Sequence, residues 1–130
     1  MEKTYLDYFN YYLKQCINDI ISYFPYTKPA ILENYRSLLE GNDNKNDLYV
    51  KYFMTKANEH LLSIAKKDPC LFDNKVLYLI EGVNFHDLWH SSDSNDNNKI
   101  ALWKYLQLLI LLGRKCVPNK SEIVSMLERV

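Results

Sequence analysis

The chain has 130 residues, of which 48% are apolar and 25% are charged, a composition typical of one globular domain and not of a disordered chain. Sixteen basic side chains balance sixteen acidic ones, and this balance excludes an overall charge that attracts nucleic acid or anionic membranes. The charges are unevenly placed, because residues 1–98 hold 10 Lys/Arg and 14 Asp/Glu, a net of −4, whereas residues 99–130 hold 6 and 2, a net of +4.

The cysteine pattern and the hydropathy indicate a reducing compartment and no membrane anchor. Cys16, Cys70 and Cys116 are dispersed without a Cys-x-x-Cys pair, unlike a secreted disulfide framework. Residues 2–4 are polar, and the start of the chain does not have the form of a signal peptide. The most apolar run, residues 100–112, would span about 20 Å as a helix, short of the roughly 30 Å hydrocarbon core of a bilayer. We therefore expect a protein of the cytoplasm or of another reducing intracellular compartment, with no membrane partner.

Two helices are predicted in the first 41 residues. Thr4 and Asp7 have the spacing of a capping box at the start of the first helix, and Pro25 ends that helix. Its apolar residues recur at helical spacing on one side, namely Leu6, Phe9, Leu13, Cys16, Ile17, Ile20 and Phe24. A second helix is predicted over residues 29–40, with an early proline and with Gly41 at its C-terminal end.

The middle of the chain predicts at least two more helices. The first covers residues 47–67, and its apolar side is formed by Tyr49, Phe53, Ala57, Leu61 and Ile64. Asp68, followed by a proline, then indicates a new helix start, and helical apolar spacing continues over residues 69–82. The pair Asp73 and Asn74 leaves open whether this stretch is one helix or two short ones.

The last third predicts a short turn, a buried helix and a terminal helix. Asn84 is expected to cap a helical turn over residues 85–90. A helix near residues 97–112, stopped by Gly113, is so apolar that we expect it in the core. An amphipathic helix is predicted after Pro118, with the apolar residues Ile123, Val124, Leu127 and Val130. Since strand signals are weak throughout, the prediction is all-α, a compact bundle of five to seven helices that forms a single domain.

His86 and His90 are the candidate metal ligands. Their spacing of four places both imidazoles on one face of a helix, as in helical zinc sites. No third ligand is identifiable, and no Glu follows His86 as in an HExxH metalloprotease, so a metal-dependent enzyme or zinc-binding protein is the third choice of function. The alternative is two partly exposed histidines at a helix end. No catalytic residue and no cofactor are predicted.

Arg114, Lys115 and Lys120 form a candidate nucleic-acid patch in the basic C-terminal third. Basic side chains interleaved with aromatic ones bind single strands, so a nucleic-acid-binding accessory protein is the second choice of function. The alternative is that Arg114 and Lys115 only complement a helix dipole. The same two charges would lower the pKa of the Cys116 thiol. Trp103 lies among apolar residues of its helix and is expected to be buried.

Tyrosine is the most distinctive component of the chain. The sequence has 11 Tyr and 2 Trp, more than a small core buries readily. Tyr5, Tyr8, Tyr11 and Tyr12 are dense near the first helix and cannot all face one core, so some must be exposed or covered by a partner. Tyr and Trp are enriched in protein interfaces. We therefore expect a non-enzymatic protein–protein interaction or structural protein that binds another protein or forms a homo-oligomer.

A segment of the last third resembles a family of uncharacterised proteins from nucleocytoplasmic large DNA viruses. It consists of a short turn, a polar spacer and a leucine-rich helix, with the shared residues Phe85, Leu88, Trp89, Trp103, Lys104, Tyr105, Leu106, Gln107 and Leu109. The resemblance covers roughly residues 76–113. It implies a viral source and a place in an infected host cell or a virion, and it implies no activity.

Overall fold

The computed structural model describes residues 3–41 and 45–116, and the regular elements of these ranges are helical. The α-helices are α1 (Tyr5–Tyr23), α2 (Lys28–Glu40), α3 (Leu48–Ala57), α4 (Leu61–Ala65), α5 (Phe85–His90) and α6 (Asp96–Cys116). Short 3-10 helices cover Pro25–Thr27, Asn58–His60 and Pro69–Asp73. Buried apolar side chains form one core cluster. The predicted all-α bundle is confirmed, and the number of α-helices in the described ranges lies within the predicted five to seven.

Helix α1 begins and ends as its sequence predicts. The Asp7 amide donates to Thr4 Oγ1 at 3.2 Å, and the Thr4 amide donates to Asp7 Oδ2 at 2.8 Å, so the capping box is confirmed. Lys45 Nζ also donates to Asp7 Oδ2 at 2.8 Å, which ties the start of α1 to the segment before α3. The buried apolar side of α1 consists of Phe9, Leu13, Cys16, Ile17 and Ile20.

Helix α6 packs along α1 and contributes one face to the core. Its buried apolar residues are Leu102, Trp103, Leu106, Leu109 and Ile110. The opposite face is open, with Ile100 52% and Leu111 62% exposed. One side of the helix predicted near residues 97–112 is therefore buried in the core, and its other side is exposed.

Gly113 does not stop α6, which continues to Cys116. A Cβ atom at Gly113 would overlap the sulphur and Cγ of Met54 on α3. The prediction that this glycine ends the helix is wrong, because the residue serves the close approach of α3 and α6 instead. The helix predicted after Pro118 lies outside the described residues.

The helix predicted over residues 47–67 is interrupted. A 3-10 segment, Asn58–His60, separates α3 from the five-residue α4. The Gln107 side-chain amide of α6 donates to the carbonyl oxygens of Ile64 and Ala65, at 3.0 and 3.3 Å. The Ile64 carbonyl also accepts from the Lys67 amide at 3.2 Å, so α6 adds a side-chain donor to the carbonyls at the end of α4.

The prediction of a helix over residues 69–82 is wrong beyond the first turn. The Asp68 side chain caps the short helix Pro69–Asp73, and the chain then runs extended to Asn84. Leu77 and Leu79 are buried while Val76 and Tyr78 are exposed, which is the alternation of an extended segment. A single antiparallel bridge joins Ile80 to Val83 around Gly82, whose φ of 82° suits glycine. The capped turn at α5 is confirmed, because Asn84 Oδ1 accepts from the His86 amide at 3.0 Å.

Candidate protein-interaction face

The four tyrosines singled out in the sequence lie near the start of α1, and most of them are exposed. Tyr5, Tyr8 and Tyr11 are 53%, 42% and 50% exposed, and Tyr12 is half-buried against the core. We call these four residues the tyrosine face. The exposed tyrosines leave large apolar rings in contact with water at the surface of a helix whose other side is the core.

Local contacts fix the positions of two of these rings. The Tyr11 and Tyr12 rings pack edge to face, with 5.1 Å between centroids. Gln15 Nε2 donates to Tyr11 Oη at 2.7 Å, and Lys3 Nζ lies 5.9 Å from the centroid of the Tyr11 ring. These contacts already restrict the Tyr11 and Tyr12 side chains, so less conformational entropy would be lost when a partner covers them.

The tyrosine face borders a groove between α1 and α6, which we call the tyrosine groove. It has a volume of about 260 Å³. The groove is lined by Tyr12, Gln15, Asp19, Ala101, Lys104, Tyr105 and Leu108. The lining thus combines Tyr and Leu side chains with one charge of each sign, those of Asp19 and Lys104.

Tyr105 and Asp19 join the two walls of this groove. Tyr105 Oη donates to Asp19 Oδ2 at 2.5 Å, across 86 residues of sequence. Burial, followed by the hydrogen bond to Asp19 and the negative charge of Asp19, raises the pKa of Tyr105 far above its usual value. The phenol therefore stays protonated and keeps donating to the carboxylate at physiological pH.

Sequence reasoning missed the α6 side of the groove. Tyr105 and Leu108 are three residues apart, so they share one side of α6. The spacing alone could have identified this pair, but nothing in the sequence indicated that α6 would lie beside α1.

His86 and His90 have a structural explanation in the fold. His86 Nδ1 lies 2.7 Å and His90 Nε2 lies 3.1 Å from the same carbonyl oxygen, that of Phe72. Two imidazoles that donate to one carbonyl hold α5 against the 3-10 helix Pro69–Asp73. Among residues 3–41 and 45–116, no group of three His, Cys, Asp or Glu side chains is placed to hold a metal ion.

The two tryptophans of the viral resemblance pack together around Phe72. The rings of Phe72 and Trp89 are stacked with centroids 4.1 Å apart, and the Trp103 ring lies edge-on to both, at 5.0 and 5.6 Å. Trp103 is buried, as expected, so it offers no stacking surface for a nucleic-acid base. Lys99 Nζ lies 4.8 Å from the Trp89 ring centroid and covers its outer side.

Two of the three basic residues of the candidate nucleic-acid patch lie in the described ranges. Arg114 and Lys115 are exposed in the last turn of α6, where positive charge complements the helix dipole. Lys120 lies outside the described residues. The expected lowering of the Cys116 pKa is wrong, because burial of the thiol raises its pKa to about 11.

Across the described ranges, no helix combines the length and the apolar character needed to cross a bilayer. Comparison of the chain with protein-family models, with curated proteins and with solved structures finds no match.

Proposed function

We propose that this chain is a non-enzymatic interaction domain that binds another protein through the tyrosine face and the adjoining tyrosine groove. One observation carries the proposal: three exposed tyrosines on α1 stand beside a recessed groove whose walls come from two helices. A partner that inserts apolar side chains into the groove would cover the exposed rings at the same time.

The chemistry of the face suits a protein partner. Tyrosine gives a large apolar ring and a hydroxyl while having few rotatable bonds, so it loses little entropy when it is covered. The Tyr11 ring is already restrained by Gln15 and Lys3. Aromatic residues of this kind account for much of the binding energy in measured interfaces.

The compartment is part of the same proposal. Cys16, Cys70 and Cys116 are all free thiols, which suits a reducing intracellular location. The resemblance of the segment around Trp89 and Trp103 to proteins of large DNA viruses supports an infected host cell or a virion as the place of action.

The test compares a substitution on the tyrosine face with one elsewhere. Tagged full-length chain, Tyr8→Ala and Tyr26→Ala are used to capture partners from native lysate treated with nuclease, and bound proteins are quantified by mass spectrometry. Tyr26 is a matched control, because it is 56% exposed but belongs to the 3-10 helix after α1. We expect Tyr8→Ala to reduce capture of a stoichiometric partner at least about tenfold and Tyr26→Ala to leave it unchanged.

Two results would contradict the proposal. Equal capture by the original chain and Tyr8→Ala would remove the tyrosine face from the interaction. Loss of every partner on nuclease treatment would favour the nucleic-acid alternative.

A further inference from the structure

A second groove lies on the other flank of α6, between α6 and α4. It has a volume of about 290 Å³. Its walls are formed by Leu61, Ile64, Ala65, Gln107, Ile110 and Leu111, with Arg114 at its margin. The α6 residues of this groove differ from those of the tyrosine groove, so the two grooves are separate surfaces.

The floor of this second groove is apolar, and the side-chain amide of Gln107 in its lining already has hydrogen-bond partners. The Gln107 amide donates to the carbonyls of Ile64 and Ala65, so it does not need a ligand. Leu111 is 62% exposed although it lines the groove. The groove therefore leaves apolar surface uncovered, and covering that surface is favourable.

Arg114 is the charged side chain among the residues that line the groove, and two lysines follow its α4 wall in the sequence. Residues 60–67 and 97–116 contain no Asp or Glu. Lys66 and Lys67 follow directly after α4, and Arg114 stands further along α6. No carboxylate of the described residues forms an ion pair with any of these three cations. We call this surface the cationic groove.

The spacing of the charges matches a helical ligand. Gln107 lies beside the end of α4, just before Lys66, and Arg114 is seven residues beyond Gln107 on α6. Seven residues of α-helix span about 10 Å. Apolar anchors at positions i, i+3, i+4 and i+7 of a bound helix span the same length, so flanking acidic residues would meet a cation at each end.

We propose that the cationic groove binds an acidic amphipathic helix of a partner protein, with leucine-like anchors in the groove and Asp or Glu residues at both ends. Nucleic acid fits the groove less well, because phosphates and sugars do not fill an apolar floor and the cations are few. The proposal does not depend on the tyrosine face, which lies on α1, or on the tyrosine groove on the other flank of α6.

The probe is a fluorescein-labelled synthetic helix of about 14 residues with Leu at i, i+3, i+4 and i+7 and Glu at both ends. Its binding to the full chain is followed by fluorescence anisotropy. We expect saturable binding that weakens severalfold when salt is raised from about 0.05 to about 0.3 M. A probe with Lys in place of Glu, and a probe with Ser in place of Leu, should each bind at least about tenfold more weakly.

Substitutions in the chain locate the binding surface. Leu111→Ser and Arg114→Gln should each weaken binding of the probe, the first at least about tenfold and the second about threefold. Ile100→Ser and Lys75→Gln are the matched controls, because both residues are exposed and line neither groove, and binding should stay within about twofold. Circular dichroism of each variant checks that helicity is unchanged.

Several outcomes would overturn the proposal. The proposal is wrong if the Lys-flanked probe binds as tightly as the acidic one, or if Leu111→Ser leaves the affinity unchanged. Displacement of the probe by a single-stranded oligonucleotide at equal concentration would assign the surface to nucleic acid. Self-association seen by analytical ultracentrifugation, accompanied by a loss of probe-binding sites, would show that this surface binds a second copy of the chain.

Discussion

Asp7 joins the start of α1 to a residue 38 positions away, and this makes it a source of pH-dependent stability. The hydrogen bond from Lys45, followed by the bond from the Thr4 amide, lowers the pKa of Asp7 below its usual value. A group with a lowered pKa in the folded state adds stability above its unfolded pKa of about 3.9. That contribution is lost as the pH falls through the folded pKa.

We therefore expect Asp7→Asn to lower the melting temperature at pH 7, and the difference from the original chain to shrink as the pH falls below about 4. Thermal unfolding followed by circular dichroism between about pH 2 and pH 7 measures this. Lys45→Gln is the matched variant and should show the same pH dependence. A difference that stays constant over the whole pH range would show that the carboxylate charge does not matter.

Gly113 is a second residue whose effect depends on one neighbour. Ala in place of Gly within a helix is favourable by about 1 kcal/mol. Here the added methyl group would overlap Met54, and overpacking of this kind costs about 1–3 kcal/mol. We expect Gly113→Ala to lower the free energy of unfolding measured in urea.

A double-mutant cycle distinguishes the two effects at Gly113. In a Met54→Ala background the space is open, so Gly113→Ala should become stabilising. The same change in free energy in both backgrounds would mean that Met54 is not the cause.

At the scale of elements, Asn84 holds α5 and the extended segment before it together. Its Oδ1 atom accepts from the amides of His86 and Leu77, at 3.0 and 3.4 Å, and its Nδ2 atom donates to the Lys75 carbonyl at 2.9 Å. Hydrogen bonds from the Asn84 side chain thus take the place of the backbone hydrogen bonds that a helix or a sheet would provide.

We expect Asn84→Ala to reduce the free energy of unfolding by about 1–2 kcal/mol, because a helix cap and a loop contact are lost together. Asn84→Asp keeps the acceptor for the two amides but not the donor to Lys75, so its effect should be smaller. Urea unfolding of both variants measures the order. An equal loss for Ala and Asp would show that only the donor bond stabilises the fold.

How well an element could be predicted depended on how local its signals are. Helix α1 was predicted correctly because the capping box at Thr4, the apolar spacing and Pro25 all lie within the helix or next to it. The stretch after Asp73 was predicted as helix because Val76, Leu79 and Ile80 have helical spacing. There, the burial of alternate residues decided the conformation, and that burial depends on helices far away in the sequence.

At the scale of the whole molecule, half of the candidate face could be predicted from the sequence. The crowding of tyrosines near Tyr8 indicated exposure, and three of the four rings are exposed. The groove beside them could not be predicted, since its walls come from α1 and α6, where Tyr105 meets Asp19 across 86 residues of sequence. The basic end of α6 was also visible in the sequence, but its position across from α4 was not.

Helix α6 gives the molecule two unlike surfaces. On one flank it forms the tyrosine groove with α1, and on the other it forms the cationic groove with α4. Since both grooves share one rigid helix, partners bound at the two proposed sites would be held at a fixed separation. The domain would then act as a bridge between two proteins of different chemistry.

The packing of α1 against α6 also determines when the molecule can fold during its synthesis. Asp19 leaves the ribosome 86 residues before Tyr105 does. At about 5–20 residues per second, the apolar side of α1 waits on the order of 10 s for the helix that covers it. Until then Phe9, Leu13 and Ile17, which are buried in the folded chain, lack the contacts that α6 makes with α1. We therefore expect chaperones to bind the nascent chain until its last third has been translated.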